Sequence, residues 1–193
     1  MTVDLNLPAP QLLAALAARA RTVNAANGFS EWSEDGIPLA LGLIHTEISE
    51  AWEAFTRPGM PRDDETVREL ADISIRALDL AEGISAGELS RNEVVRRALE
   101  TYSTGPARTA WQFSYLLLGL HAHATDLTQL YRSPAKMPDT AAPPPEFWQG
   151  LVGLIVGPVQ IARLAFDVDL LPVIAATIER NAGRGMRHGG KRL

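Results

Sequence analysis

The sequence predicts an all-α fold, and three observations favour this class. Leucine and alanine dominate the chain, whereas β-branched runs that alternate apolar and polar residues are scarce. Apolar residues make up 46% of the chain, which is enough for a sizeable core, and charged residues make up 21%, which is typical of a globular protein. Glycine and proline fall where helices would end. The 193 residues therefore predict a single all-α domain, 1–193, or two closely fused halves.

Three helices are predicted in the first part of the chain. The first covers 9–26 and ends at an Asn-Gly pair. The second covers 37–56, with a proline in its first turn and an Arg-Pro-Gly run at its end. The third covers 64–82, with an aspartate as its N-cap and Gly83 as its stop. The loop between the second and third helices is short, so these two should pack antiparallel.

Four further helices follow. They are predicted over 87–102, 106–132, 146–167 and 169–182, and the tail after them should be irregular. A proline-rich loop separates the second of these from the third. The longest apolar stretch, 151–166, contains a proline, a glutamine and an arginine, so a buried core helix suits it better than a membrane span.

Two segments of the chain recur and suggest a tandem duplication. Leu39 to Leu43 is repeated as Leu116 to Leu120, and Asp79 to Ile84 is similar to Arg163 to Val168. The halves would be 1–103, which is catalytic, and 104–193, which is degenerate and carries a basic C-terminal tail. In the second half, His123 and Asp126 fall near the positions of the first half's acids. The chain would then mimic a dimer, and the alternative is chance similarity between leucine-rich helices.

Four acidic residues stand out because of where they fall on their helices. Glu47 and Glu50 are three apart on the second helix, and Glu69 and Asp72 are three apart on the third, so each pair shares one face. On a helical wheel both Glu47 and Glu50 fall inside the apolar arc. Glu69 falls at the edge of its arc, and Asp72 lies further out beside Arg76.

Buried carboxylates need a cation, a proton or hydrogen-bond donors. If the two helices bring four carboxylates together, a hard divalent cation relieves their repulsion. Ligand oxygens alone favour Mg²⁺, with Mn²⁺ as a substitute, over zinc. The Glu-x-x-His motif of di-iron bundles is missing, which disfavours a redox metal enzyme.

The same residues resemble a known family. The segment from Leu43 to Ala54 and the segment from Glu69 to Ala81 are similar to the MazG-like all-α nucleoside triphosphate pyrophosphohydrolases, whose signature is Glu-x-x-Glu on one helix and Glu-x-x-Asp on the next. The asparagine-containing segment before the second helix and the ending from Asn181 to Arg192 also resemble family members. Thr177 departs from the pattern, since members often have lysine there, and Gly185 stands where proline is usual.

The resemblance implies an antiparallel MazG-like bundle that hydrolyses a nucleoside triphosphate, either a deoxynucleotide or a non-standard nucleotide, to the monophosphate and pyrophosphate. The four acids would hold the metal and carry the catalysis, with one of them able to accept the proton of the attacking water. Residues expected to contact the substrate are Asn24, Asn27, Trp32, Arg76, Asn181, Arg184, Arg187, Lys191 and Arg192. His45 lies on the polar face and is expected only to face solvent.

Bulk properties limit the other possibilities. The net charge of −5 does not suit a nucleic-acid binder, and no cysteine is present to form a disulfide or a thiolate site. We expect a cytoplasmic house-cleaning enzyme that binds neither nucleic acid nor membrane, either a homodimer or a monomeric pseudo-dimer. The alternative is a non-catalytic helical module of the same fold that binds a nucleotide or a protein.

Overall fold

The computed structural model describes residues 3–7, 9–28, 36–57, 62–85, 110–133 and 143–183. Within these ranges it contains helices and no strand, which confirms the predicted all-α class. The helices, in chain order, are α1 (Ala9–Ala26), α2 (Gly36–Thr56), α3 (Arg62–Ser85), α4 (Ala110–Tyr131), α5 (Pro145–Phe166) and α6 (Leu170–Ala182).

Most of the helix ends lie close to the predicted ones. The exception is α3, which continues through Gly83 to Ser85, so the prediction of Gly83 as its stop is wrong. A glycine inside a helix costs only about 1 kcal/mol, and the packing of α3 against its neighbours outweighs that cost. The helix predicted over 87–102 lies outside the described residues, as does the tail from residue 184 onward.

A local hydrogen-bond pattern turns the chain between α5 and α6. Asp167 adopts a left-handed conformation at φ 54°, and the Val168 N–H donates to the Ala162 carbonyl at 3.2 Å. The Asp169 carboxylate then accepts from the Leu171 N–H at 3.2 Å, which caps α6. These contacts satisfy backbone groups that a helix end leaves free, so the chain can change direction within a few residues.

Helices α2 and α3 form an antiparallel hairpin, as the short connection predicts. Glu47 on α2 pairs with Arg76 on α3, and Arg57 beyond the end of α2 pairs with Glu65 near the start of α3. The order of these pairs along the two helices is opposite, which fixes the antiparallel direction. The hairpin therefore faces the two acid-bearing turns toward each other.

Helices α4 and α5 form a second antiparallel hairpin through small residues. Gly150, Gly153 and Gly157 share one face of α5, and that face meets α4. A Cβ atom added at Gly153 would lie 2.7 Å from the His123 ring, so a glycine is needed there for the two helices to approach this closely. The ring of Phe55 at the end of α2 lies 4.3 Å from that of Phe113 at the start of α4, which joins the hairpins.

Helix α3 is the central helix and packs against α1, α2, α5 and α6. The hydroxyl of Ser74 on this helix is buried and donates to the Ile155 carbonyl of α5 at 3.0 Å. On the other side of α3, α1 is joined to α6 by a bidentate pair between Arg19 and Glu179 at 2.8 Å. The core thus surrounds α3, which carries half of the candidate site.

Among the described helices, α5 alone is long and apolar enough to cross a membrane by length and composition. Its burial instead agrees with the core-helix interpretation. The buried residues of α5 are Phe147, Gly150, Leu151, Val152, Leu154, Ile155, Val156, Pro158, Ile161 and Ala162. A buried core helix of this kind passes the same test as a membrane span.

Candidate metal centre

Three carboxylates from two helices converge at one point. Glu47 and Glu50 on α2 and Glu69 on α3 each offer one oxygen, and these three oxygens lie within 4.8 Å of one another. Glu47 and Glu69 are buried, while Glu50 is exposed. The donor set contains only carboxylate oxygens, and the group opens to solvent on the Glu50 side. Such a set suits a hard divalent cation.

The wheel prediction is right for Glu47 and wrong for Glu50. Glu50 shares its direction on α2 with Leu39, which is itself 48% exposed. The apolar arc of α2 is thus wider than the face that packs against the core, and Glu50 lies at its outer edge. A carboxylate at this edge can reach the cluster and still contact water.

Asp72 lies beside the cluster, one helical turn from Glu69, but is not one of the three converging groups. It is half-buried at the rim rather than fully exposed. Burial, followed by the charges of Glu47 and Glu69, raises the pKa of Asp72 to about 7. The carboxylate therefore stands in the negative field of the cluster, as a fourth member of the site would.

Two arginines partly neutralise the buried acids. The Nε of Arg76 donates to Oε1 of Glu47 at 3.1 Å, and Nη2 of Arg68 donates to Oε1 of Glu69 at 3.1 Å. Even so, burial raises the pKa of Glu47 and that of Glu69 above their ordinary value. The pKa of Glu50 is also raised, first by burial and then by the charge of Glu47. The arginines therefore do not fully offset the burial of these carboxylates.

A third arginine approaches from α6. Arg180 lowers the pKa of Asp72 through its charge, and its Nη2 donates to the hydroxyl of Thr177 at 2.8 Å. Thr177, which departs from the MazG-like pattern in the sequence, is buried. The basic group at this end of the site thus comes from Arg180, which the sequence interpretation missed.

A second polar group lies next along α3. Asp79 is buried and accepts from Nδ2 of Asn24 at 2.8 Å and from Nη1 of Arg21 at 3.2 Å. Asn27 donates to the backbone carbonyl of Asn181 at 3.1 Å, which ties the end of α1 to α6. Asn24 and Asn27, two of the three asparagines predicted as substrate contacts, thus have side-chain partners within the fold. Together with Arg76 they form a polar seam along one side of α3.

The remaining predicted substrate contacts lie outside the described residues. These are Trp32, Arg184, Arg187, Lys191 and Arg192.

The expectation that His45 only faces solvent is wrong. His45 is half-buried, and its Nδ1 lies 3.0 Å from Nδ1 of His121 on α4, with the rings stacked at a centroid distance of 5.2 Å. Burial lowers the pKa of both imidazoles. The two histidines lie where α2 contacts α4. The sequence could not predict this contact because the two residues belong to separate hairpins.

The second hairpin has an open cavity of about 420 Å³ between α4 and α5. His123 and Asp126, the positions expected to correspond to the first half's acids, both line this cavity and are exposed. Glu146 and Gln149 face them from α5. Among the described residues, no group of three metal-ligating side chains converges here.

No family model, curated protein or solved structure matches the chain. The geometry of the site must therefore support the functional inference.

Proposed function

We propose that this chain is a Mg²⁺-dependent nucleoside triphosphate pyrophosphohydrolase of the MazG-like type, with Mn²⁺ as a substitute metal. The observation that carries the proposal is the convergence of Glu47, Glu50 and Glu69 within 4.8 Å, from two antiparallel helices. Asp72 completes the signature of two acids on each helix. The proposed substrate is a deoxynucleotide or a non-standard nucleotide, and the products are its monophosphate and pyrophosphate.

The residues fit a divalent metal in number and kind. Glu47, Glu50, Glu69 and Asp72 would hold it, and when bound it supplies neutralising charge to phosphate oxygens and acidifies water. The chain's own contribution is to fix the geometry, because α2 and α3 are packed in the core on the sides away from the site. Asp72 lies just outside the converging group, and in this proposal it would accept the proton of the attacking water.

Positive groups around the acids suit the phosphates. Arg76 and Arg180 lie on the side of Asp72, and guanidinium groups match phosphate oxygens in geometry and charge. The tail residues Arg184, Arg187, Lys191 and Arg192 remain proposed phosphate contacts, and Trp32 remains a proposed contact of the base or sugar. Asn24, Asn27 and Asn181 would border the nucleoside end of the same seam.

We also propose that the two hairpins are duplicates that form a pseudo-dimer within one chain. An offset of 76 residues, one less than that of the Leu39–Leu43 repeat, aligns the buried positions Leu41, Ile44, Ile48 and Ala51 of α2 in sequence with Leu117, Leu120, Ala124 and Leu127 of α4. The same offset pairs His45 with His121, its own contact partner. Equivalent residues of two symmetric subunits meet in this way on a two-fold axis. The offset also equates Glu47 with His123 and Glu50 with Asp126, so the second hairpin would lack the metal site.

A non-catalytic helical module that binds a nucleotide or a protein is the second candidate. The observation that favours it is that both buried acids already have arginine partners, Arg76 for Glu47 and Arg68 for Glu69. An acidic cluster held by arginines can be part of the scaffold alone. This candidate predicts no turnover of any nucleotide.

Pyrophosphate release from a panel of nucleoside triphosphates, with Mg²⁺ and with a chelator, separates the two candidates. We expect Mg²⁺-dependent release by the natural chain and a loss of at least about a hundredfold in Glu47→Gln, with the helical circular dichroism retained. The matched control is Glu53→Gln, which makes the same change on the exposed face of α2. Equal turnover in Glu47→Gln and the natural chain would contradict the metal assignment, and no turnover of any nucleotide would favour the second candidate.

A further inference from the structure

We propose that Arg76 is a built-in cation of the metal-free site: it competes with the metal for Glu47, and metal binding releases its guanidinium to the phosphates of the substrate. This inference rests on the proposed function and assigns to one residue the coupling between metal and substrate. It makes Arg76 a positioning residue for Glu47 before the metal binds and a phosphate-binding residue afterwards.

The guanidinium of Arg76 lies against a carboxylate oxygen of Glu47 that a metal would bind. Its Nε lies 3.1 Å from Oε1 of Glu47, and the two side chains are only 18% and 11% exposed. Glu47 is also one of the three carboxylates that converge within 4.8 Å. A cation that binds these oxygens therefore enters the immediate surroundings of a buried guanidinium. The ion pair of Glu47 must loosen, since a divalent ion and an arginine at the same oxygen repel each other.

The charges of the site support such an exchange. Four carboxylates, Glu47, Glu50, Glu69 and Asp72, face two directly paired guanidinium groups, those of Arg76 and Arg68. Arg180 adds a third positive charge near Asp72, so the fully ionised site is short of at least one positive charge, which a divalent metal would supply. These arginines stabilise the fold at this point, but their positive charges do not neutralise all of the carboxylates.

Arg76 also has other partners close at hand. Residues three and four apart on a helix are neighbours, so Arg76 lies between Asp72 and Asp79 on the surface of α3. Burial raises the pKa of both carboxyl groups, and the charge of Arg76 partly offsets this rise. The guanidinium can thus leave Glu47 without losing all negative neighbours, and the rim position of Asp72 directs it toward the side where phosphates would enter.

Arg68 is a contrasting case. It pairs with Glu69 at the same 3.1 Å, but its side chain is 41% exposed. A pair in contact with solvent is weak and exchanges easily. Arg68 should therefore oppose the metal less than the buried Arg76 does.

The test measures binding of Mn²⁺ alone and then of inorganic triphosphate to the Mn²⁺-loaded full-length protein. We expect Arg76→Gln to bind Mn²⁺ about tenfold more tightly than the natural chain, because a positive charge next to the metal is gone. The same variant should bind triphosphate about tenfold more weakly in the presence of Mn²⁺. Arg76→Lys, which keeps the charge but not the fork, should leave Mn²⁺ affinity near the natural value and still weaken triphosphate binding.

The controls distinguish this inference from the proposed function. Arg19→Gln removes the half-buried arginine pair with Glu179, which lies away from the acids, and should change neither affinity. If Arg76→Gln is poorly folded without metal, the double variant Glu47→Gln with Arg76→Gln, which removes both charges, should recover its melting temperature. Mn²⁺ binding by the natural chain with no tightening in Arg76→Gln overturns the inference alone, as does unchanged triphosphate binding. Failure of the natural chain to bind Mn²⁺ overturns the proposed function as well.

Discussion

Replacing Asp72 by asparagine should stabilise the metal-free protein, and more so as the pH rises. The pKa of Asp72 is about 7 in the folded protein against 3.8 for an ordinary aspartate. The folded state therefore holds this proton more tightly than the unfolded state does. The contribution of Asp72 to stability is thus most favourable below pH 3.8 and is lost as the pH rises through about 7.

The size of the effect follows from the shift. Three pKa units correspond to about 4 kcal/mol of free energy of unfolding, and because Asp72 is only half-buried, screening by water reduces this to about 2–4 kcal/mol. Asparagine is neutral at every pH, so Asp72→Asn should escape this cost. For a chain of this size the gain corresponds to a rise of about 4–16 °C in melting temperature at pH 8.

The assay is thermal unfolding followed by circular dichroism at pH 5 and pH 8, with a chelator in the buffer. The gain of Asp72→Asn over the natural chain should be clearly larger at pH 8 than at pH 5. Asp126→Asn, the same change at an exposed position of α4, should give no gain that depends on pH. A variant no more stable than the natural chain at pH 8 would contradict a pKa of Asp72 raised by burial and by the charges of Glu47 and Glu69.

Two buried hydroxyl groups on α3 give opposite predictions for the same measurement, urea unfolding. Ser74→Ala removes the donor to the Ile155 carbonyl and should cost about 1–3 kcal/mol, because that buried acceptor loses its partner. Thr66→Val should be neutral or stabilise by up to about 1 kcal/mol, because the Thr66 hydroxyl is buried and has no hydrogen-bond partner among the described residues. Stabilisation by Ser74→Ala, or a loss above about 1 kcal/mol in Thr66→Val, would contradict these assignments.

The fold class and most helix ends could be predicted because they depend on local signals. Apolar periodicity predicted the helices, and local signals such as the Asn-Gly pair after α1 predicted their ends. The prediction that α3 ends at Gly83 was wrong because the packing of α3 outweighs the low helix propensity of glycine. This packing cannot be read from the local sequence. The arrangement of the two hairpins was beyond reach for the same reason: the contact of His45 with His121 joins residues 76 positions apart.

The site could be predicted in part. The inward direction of Glu47 followed from its place in the apolar arc, but the arc did not reveal that its edge at Leu39 and Glu50 faces outward. The arginine partners were harder to foresee. Arg68 is adjacent to Glu69 in sequence, whereas Arg180 reaches Asp72 from α6, and only the packing of α6 on α3 brings it there.

The buried acids of this site do not favour folding, and that is the strongest argument that they serve a ligand. Burial raises the pKa of Glu47 and Glu69 despite their arginine partners. Apolar residues of similar size often replace a buried ion pair with no loss of stability or with a gain. Stability alone does not require a buried ion pair of this kind. A metal site or a phosphate-binding site does require charged groups inside the protein.

The last prediction follows from this reasoning. Replacing Glu47 by methionine and Arg76 by leucine together should leave the metal-free protein as stable as the natural chain, or more stable by about 1–4 kcal/mol. The same double variant should bind Mn²⁺ much more weakly and lose nucleotide turnover. Each single replacement should instead destabilise the fold, since it leaves a buried charge alone. A double variant that is less stable than both single ones would mean that this pair is a structural element, and the acids would then need no ligand to explain them.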